Sequence, residues 1–255
     1  MSLKTFMSAL MLALAVCAGG AALAAAPPGA ADRVVPSTGM HSAVIPLTAA
    51  QRLARLAPAV DPQVLSLALA AVQCAQTSGV GMAARRLAVI DYSMPSLQRR
   101  LWVFDLRSHE LLYREWVAHG SGSGGNLPTH FSNEDGSHAS SVGLFVTGST
   151  YMGRNGYSLR MDGLEPGFND AAMDRAIVMH GADYVNAKAD QAMGRLGRSW
   201  GCPALRSAVA RPIIDVMKDG QFVFAYYPEQ AWLARSALLH CPAAQLASAA
   251  ERSRH

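Results

Sequence analysis

Short segments rich in β-branched and aromatic residues recur between residues 86 and 227, and they constrain the fold more than any other feature of the chain. Polar residues, Gly and Pro separate them, as is typical of strands joined by turns. One helix is predicted among them, over PIIDVMK, ending at Asp219-Gly220. We therefore predict an α+β, mostly β domain at residues 81–228, a sandwich or barrel in shape. The predicted strands are RLAVIDY, LWVFDL, LLYREWVA, GLFVTG, YSLRMDG, RAIVMHG and QFVFAYY.

Two short helices are predicted before this domain, over residues 48–80. Leu53 and Leu56 recur at helical spacing until Pro58 ends the first helix. Asp61 followed by Pro62 is an N-cap with proline at the first helical position, and the second helix runs to about Thr77. A C-terminal tail at 229–255 follows the main domain and is expected to contain one helix.

The N-terminus has the pattern of a secretory signal peptide at residues 1–25. Lys4 precedes the apolar run FMSALMLALAV and then small residues at Ala-x-Ala spacing. An uncleaved membrane anchor is the alternative. A Pro-, Gly- and Ala-rich linker follows at 26–47, and no later segment is apolar enough to span a membrane. These features predict a periplasmic or cell-envelope protein.

Composition narrows the function classes. The 255 residues are 51% hydrophobic and 16% charged, which argues against disorder. The net charge of +4 is not gathered into a Lys/Arg stripe, so nucleic-acid binding is not expected. His119, His130 and His138 surround one loop, but the chain has no His-Glu-x-x-His and no paired Cys-x-x-Cys. We predict neither a metal nor a cofactor, and the oligomeric state stays open.

Three cysteines, Cys74, Cys202 and Cys241, follow the predicted signal peptide. An odd number in an oxidising compartment leaves at least one thiol unpaired or all three reduced. The sequence does not assign the pairing. A bridge between Cys74, on the second predicted helix, and Cys241 would leave Cys202 free and contribute about 2–4 kcal/mol.

Cys202 and His180 are a candidate catalytic pair. Cysteine attacks as a thiolate and needs a neighbouring base, and His180 stands at the end of an apolar strand followed by Gly181. Gly201 allows a bend in which backbone N–H groups of Trp200, Gly201 and Cys202 point one way, as an oxyanion hole requires. Residue types alone leave two alternatives for Cys202, a packed side chain or half of a disulfide.

The Gly-rich run HGSGSGGN lacks the Gly-Lys-Ser/Thr ending of a phosphate-binding loop. Flexibility, or close approach of its backbone to another segment, is the simpler explanation.

The stretches IVMHGADYV and GRSWGCPAL resemble the His-Gly and Ser-x-Gly-Cys signature of the murein L,D-transpeptidases, in the branch with Ser-Trp-Gly-Cys in place of Ser-His-Gly-Cys. The similarity extends over roughly residues 85–228. It implies a β-sandwich-like catalytic domain and a peptidoglycan stem peptide as substrate. It also implies Cys202 as nucleophile, His180 as base, the Gly181 carbonyl as the group that orients the imidazole, and acylation by carbapenems.

The same resemblance suggests substrate contacts. Arg198 and Arg160 are candidates to pair with stem carboxylates, and Ser199, beside Arg198, is a further candidate for contact with the substrate. Tyr184 and Tyr151 are candidates to line the cleft. The alternatives are ordinary surface positions for the arginines and packing for the tyrosines.

Two departures from the family pattern limit what can be carried over. Trp200 stands where many members have histidine, which puts a second imidazole in doubt. The segment 182–198 is also longer than in better-known members, so the acceptor stays open.

The function predicted from the sequence is an exported cysteine L,D-transpeptidase. An L,D-carboxypeptidase or cross-link hydrolase of the same fold is one alternative, since acceptor choice depends on water exclusion and cleft shape. A non-catalytic cell-wall-binding domain is the other, although a binding module has no need of an oxidisable thiol.

Overall fold

The structure is a computed structural model that describes residues 47–186 and 191–241. The predicted signal peptide (1–25), nearly all of the predicted linker (26–47) and the end of the predicted tail (242–255) lie outside the described residues. None of the helices in the described ranges combines the length and apolarity needed to cross a bilayer.

In the described part of the chain, nine strands form one sheet in the order β3-β2-β1-β9-β5-β6-β7-β8-β4. Strands β1 and β9, and β7 and β8, pair in parallel, and the other neighbours pair antiparallel. The strands are β1 Arg86–Asp91, β2 Leu101–Asp105, β3 Glu110–Glu115, β4 Val117–Ala118, β5 Gly143–Gly153, β6 Gly156–Gly163, β7 Val178–Ala182, β8 Ala204–Arg206 and β9 Phe222–Tyr226.

The sheet curls until its two edges nearly meet. Strands β3 and β4 are the opposite edges of the sheet, yet only Trp116 separates them along the chain. The Arg206 guanidinium secures this corner with a bidentate ion pair to Glu115, at 2.6 and 2.7 Å. The predicted mostly-β α+β fold is confirmed, as one nearly closed sheet.

Four α-helices that lie wholly within the described ranges accompany the sheet: α1 Ala49–Leu56, α2 Pro62–Thr77, α3 Ser207–Met217 and α4 Gln230–Arg235. The predicted start of α2 is confirmed, because the Asp61 side chain accepts the Gln63 N–H at 2.8 Å and Pro62 occupies the first turn. Helix α3 begins five residues before the predicted PIIDVMK and contains Pro212. The tail helix is present as α4.

Strand alternation builds two hydrophobic layers. Leu87 and Val89 of β1 face the layer that holds α1, α2 and Trp232. Ala88 and Ile90 face the layer that holds α3, with Ile213 and Ile214. Because each large apolar side chain buried this way contributes about 1.5–3 kcal/mol, the central strands are held from both faces and give the site a rigid base.

The disulfide joins Cys74 to Cys241 and leaves Cys202 as a free thiol, so the pairing that the sequence left open is settled. The bridge ties α2 to the chain just beyond α4.

Candidate active site

The turn around Cys202 depends on a glycine. Gly201 has φ +113°, a left-handed conformation that side chains disfavour. A Cβ at this position would lie 2.8 Å from Ile177 Cδ1 and 2.9 Å from the Ala139 carbonyl oxygen. The glycine therefore lets the turn press against its neighbours and present Cys202 next to them.

Hydroxyl groups hold this turn in shape. Ser199 Oγ accepts the Gly201 N–H at 3.2 Å and donates to the Cys202 carbonyl at 2.6 Å. Ser140 Oγ donates to the Gly201 carbonyl at 2.9 Å. Ser199, which the sequence analysis proposed as a substrate contact, is buried and thus also braces the nucleophile turn.

The Cys202 side chain is 8% exposed. Its Sγ lies 3.5 Å from the Val178 N–H and donates to the Ala176 carbonyl at 3.8 Å. Burial raises the pKa of the Cys202 thiol, while the Val178 N–H and the Arg175 charge act in the opposite direction. The resting side chain is consequently a neutral thiol at neutral pH.

His180 lies on β7, next to β8, which follows Cys202. The two strands pair in parallel with His180 opposite Ala204. His180 Nδ1 is 2.9 Å from the Gly181 carbonyl oxygen, and since a carbonyl only accepts, Nδ1 carries the proton. Burial lowers the pKa of His180, so the neutral imidazole keeps its Nε2 lone pair available as a base.

Helix α3 packs closely against Gly181. A Cβ there would lie 2.9 Å from Ala210 Cβ. The absence of a side chain at this position lets the helix pack onto β7 beside the histidine.

A cleft of about 400 Å³ brings the catalytic candidates together. A volume of this size suits a small ligand or a peptide segment. The lining contains three arginines and no carboxylate, so the cleft is cationic. Its lining residues are Arg154, Asn155, Arg175, Ala176, His180, Tyr184, Arg198, Ser199, Trp200 and Cys202.

Trp200 is an exposed aromatic surface at the cleft. Its ring is 70% exposed and stacks on the His138 ring, with centroids 4.9 Å apart and planes 7° from parallel. Within residues 47–186 and 191–241, no other residue accepts the backbone N–H of Trp200 or of Cys202, and the Cys202 N–H interacts with its own thiol. The Gly201 N–H is already donated to Ser199, so Trp200 and Cys202 are the available donors of the predicted oxyanion hole.

Arg198 and Tyr184, both proposed from the sequence, line this cleft. Arg198 Nη1 donates to the Gly124 carbonyl at 2.8 Å, which fixes the guanidinium against the Gly-rich segment. Burial raises the pKa of Tyr184 to about 12, so its hydroxyl stays a neutral donor.

Arg160 and Tyr151 are not among the residues that line the cleft. They lie on β6 and β5 and contact each other, with the Arg160 guanidinium 4.3 Å above the Tyr151 ring. Arg160 Nη1 also donates to Ser149 Oγ at 3.1 Å. Their proposed substrate role therefore has less support than that of Arg198 and Tyr184.

The Gly-rich segment approaches other backbone closely, one of the explanations offered above for its composition. A Cβ on Gly120 would collide with the His138 carbonyl and Gly201 Cα, and one on Gly122 with the Ser137 carbonyl. The glycines thus allow segments 120–122 and 137–139 to pack against each other and against the nucleophile turn at 199–201.

Sequence reasoning missed four residues at this site: Arg175, Arg154, Asn155 and His138. Arg175 stands inside the predicted strand RAIVMHG, five residues before His180, with no motif of its own. The sequence around His138 gives no sign that its ring stacks on Trp200. No cluster of three or more potential metal ligands occurs in the described part of the chain.

Residues 56–226, more than half of the chain, match the family model of the L,D-transpeptidase catalytic domain. No curated protein sequence matches the chain.

Two similar solved structures have low identity. One is an L,D-transpeptidase from Mycobacterium smegmatis, with 14% identity, 56% of this chain and 59% of that chain covered, and a TM-score of 0.34. The other is a helical cell shape determining protein from Campylobacter jejuni, with 13% identity, 62% and 54% covered, and a TM-score of 0.36. The chain spans less than two thirds of the length of either structure.

Proposed function

Because the chain belongs to the L,D-transpeptidase catalytic-domain family, we propose that it is an exported cysteine L,D-transpeptidase acting on peptidoglycan stem peptides. Cys202 is the nucleophile and His180 the base in this proposal. The observation that carries it is the meeting of a free thiol and a neutral, oriented imidazole in one cleft.

The protonation states suit a coupled attack. The thiol is neutral because burial raises the pKa of Cys202, and the imidazole is neutral because burial lowers the pKa of His180. The thiol proton therefore moves to His180 Nε2 as Sγ attacks, while the Gly181 carbonyl keeps the ring in place through Nδ1.

The acylation step is proposed to run at the bond between the diamino acid and the terminal D-Ala. Cys202 Sγ adds to the carbonyl carbon, and the N–H groups of Trp200 and Cys202 receive the resulting oxyanion. Collapse breaks the C–N bond, His180 returns the proton to the D-Ala amine, and a thioester remains on Cys202.

The second step resolves the thioester. An amine of another stem attacks the same carbonyl and loses a proton to His180. The C–S bond breaks, and the departing thiolate of Cys202 takes that proton back. Water in place of the amine would give the carboxypeptidase or hydrolase outcome.

Charge in the cleft supports an anionic substrate. Stem peptides carry free carboxylates, and the unopposed guanidinium groups of Arg154 and Arg198 are suited to bind them. Tyr184 offers a neutral hydroxyl beside the nucleophile.

We also propose an envelope location, on the basis of the signal-like N-terminus.

Product analysis tests this proposal. The mature protein and a Cys202→Ala control are incubated with purified disaccharide-tetrapeptide, and products are followed by mass spectrometry. Cross-linked dimer plus free D-Ala, absent from the control, is the expected result.

The other outcomes separate the alternatives. D-Ala without dimer would identify a carboxypeptidase. If a folded protein with Cys202 reduced leaves the disaccharide-tetrapeptide unchanged, this donor is rejected. The protein is then incubated with cross-linked dimer: cleavage identifies a hydrolase, and no cleavage favours a wall-binding domain.

A further inference from the structure

Arg175 lies beside the proposed nucleophile, although it belongs to none of the sequence motifs described above. It lines the same cleft as Cys202. The Cys202 thiol contacts the Ala176 carbonyl and the Val178 N–H, which lie one and three residues after Arg175.

Hydrogen bonds to neutral acceptors hold the guanidinium in place. Nη1 donates to the Ser132 carbonyl and to Ser141 Oγ, both at 2.7 Å. Nη2 donates to Ser137 Oγ at 3.0 Å and to the Ala139 carbonyl at 2.8 Å. All four hydrogens on the terminal nitrogens are thereby used, which a lysine would not reproduce.

The charge of Arg175 is not neutralised by a contact ion pair. None of the ion pairs among the described residues includes Arg175. The carboxylate that acts on Arg175 is Asp135, in the loop to which the guanidinium donates, and it does so through the field and without an ion pair. A half-buried cation without a paired carboxylate exerts its field on whatever ionises nearby, and Cys202 is such a group.

The same hydrogen bonds join the loop 132–141 to the nucleophile turn. The Ala139 carbonyl accepts a hydrogen bond from Arg175. The same carbonyl oxygen lies against Gly201 in the nucleophile turn, since a Cβ on that glycine would be only 2.9 Å from it. Ser140 in this loop donates to the Gly201 carbonyl. The position of the guanidinium is thus coupled to the position of the turn.

We propose that Arg175 is a positioning residue that places a fixed positive charge next to Cys202, stabilises its thiolate during acylation and deacylation, and holds the loop 132–141 against the nucleophile turn. This inference rests on the proposed role of Cys202 as nucleophile. The direction of the Arg175 effect on the pKa of Cys202, opposite to that of burial, agrees with it.

The test measures alkylation of Cys202 by iodoacetamide as a function of pH, with no peptidoglycan present. Arg175→Gln removes the positive charge. Arg175→Lys keeps the charge but lacks the two terminal guanidinium nitrogens that donate the four hydrogen bonds. Arg154→Gln is the matched control. Arg154 lines the same cleft but donates no hydrogen bond within the described ranges. Near-UV circular dichroism and thermal unfolding establish that each variant is folded.

In R175Q the alkylation midpoint is expected to rise by about one pH unit or more, with R154Q unchanged. A folded R175Q with the wild-type midpoint would overturn the proposal, and so would an equal rise in R154Q. If R175Q does not fold, R175K tests the charge alone: a midpoint near wild type supports stabilisation of the thiolate by a cation at this position, and a rise of about one pH unit contradicts it.

Because iodoacetamide reports on the thiol alone, this result is separable from the proposed function. A protein that fails to cross-link stems still yields the alkylation profile.

Discussion

Loss of the Cys74–Cys241 disulfide is expected to destabilise the domain strongly. The bond closes a sequence separation of 167 residues that includes every strand of the sheet. The chain-entropy relation assigns about 5 kcal/mol to a loop of this length, and native disulfides typically contribute about 2–4 kcal/mol. The lower range is expected, because Trp232 also anchors the C-terminal segment through a 2.8 Å hydrogen bond to Glu165.

Urea unfolding of the oxidised and reduced wild-type protein measures this contribution without changing a side chain. With a denaturant slope of about 2 kcal/mol per M, the midpoint should fall by about 1–2 M on reduction. A Cys74→Ala/Cys241→Ala variant should behave like the reduced protein. An unchanged midpoint, in a sample whose two thiols are shown to be free by mass mapping, would mean that the bond does not stabilise the domain.

Three further predictions concern the site. The acid limb of kcat/KM should lie below pH 6.5, the ordinary imidazole value, because a lowered pKa keeps His180 neutral to lower pH; a pH–rate profile with its limb above 6.5 would contradict this. Gly201→Ala should lower the free energy of unfolding by about 1–3 kcal/mol and slow alkylation of Cys202, because φ is +113° and the new Cβ would contact Ile177. Chemical denaturation measures the loss, with Gly125→Ala as the control because the space around its new Cβ is open. A carbapenem should add its mass to Cys202 in the folded, reduced protein and leave Cys202→Ala unmodified, and an unmodified wild type would favour the wall-binding alternative.

Most strands were predictable because their apolar residues alternate or run continuously over short, turn-bounded segments. β8 was missed, since its three residues follow the Cys202 turn directly and are too short for a pattern. The early start of α3 was also missed. Its first turn packs on Gly181 of β7, and tertiary contact of this kind outweighs the preference of Pro212 for a helix start.

The predicted catalytic candidates meet in one cleft because they stand on adjacent elements, β7 and the turn before β8. Arg160 and Tyr151 were selected without knowledge of their neighbours in the fold, and on the β5–β6 hairpin they contact each other. Arg175, in contrast, was not predicted from the sequence, because its role depends on contacts with a distant segment. Its significance arises from four contacts to a loop more than thirty residues away in sequence, which local patterns cannot reveal.

The most direct test of the Cys202–His180 account is detection of the acyl-enzyme itself. The mature protein is mixed with disaccharide-tetrapeptide, quenched in acid within the first turnovers and analysed by intact mass and peptide mapping. We expect an adduct equal to the donor minus D-Ala, located on Cys202, absent from Cys202→Ala and strongly reduced in His180→Ala. Release of D-Ala with the adduct on another residue, or without dependence on Cys202, would contradict it.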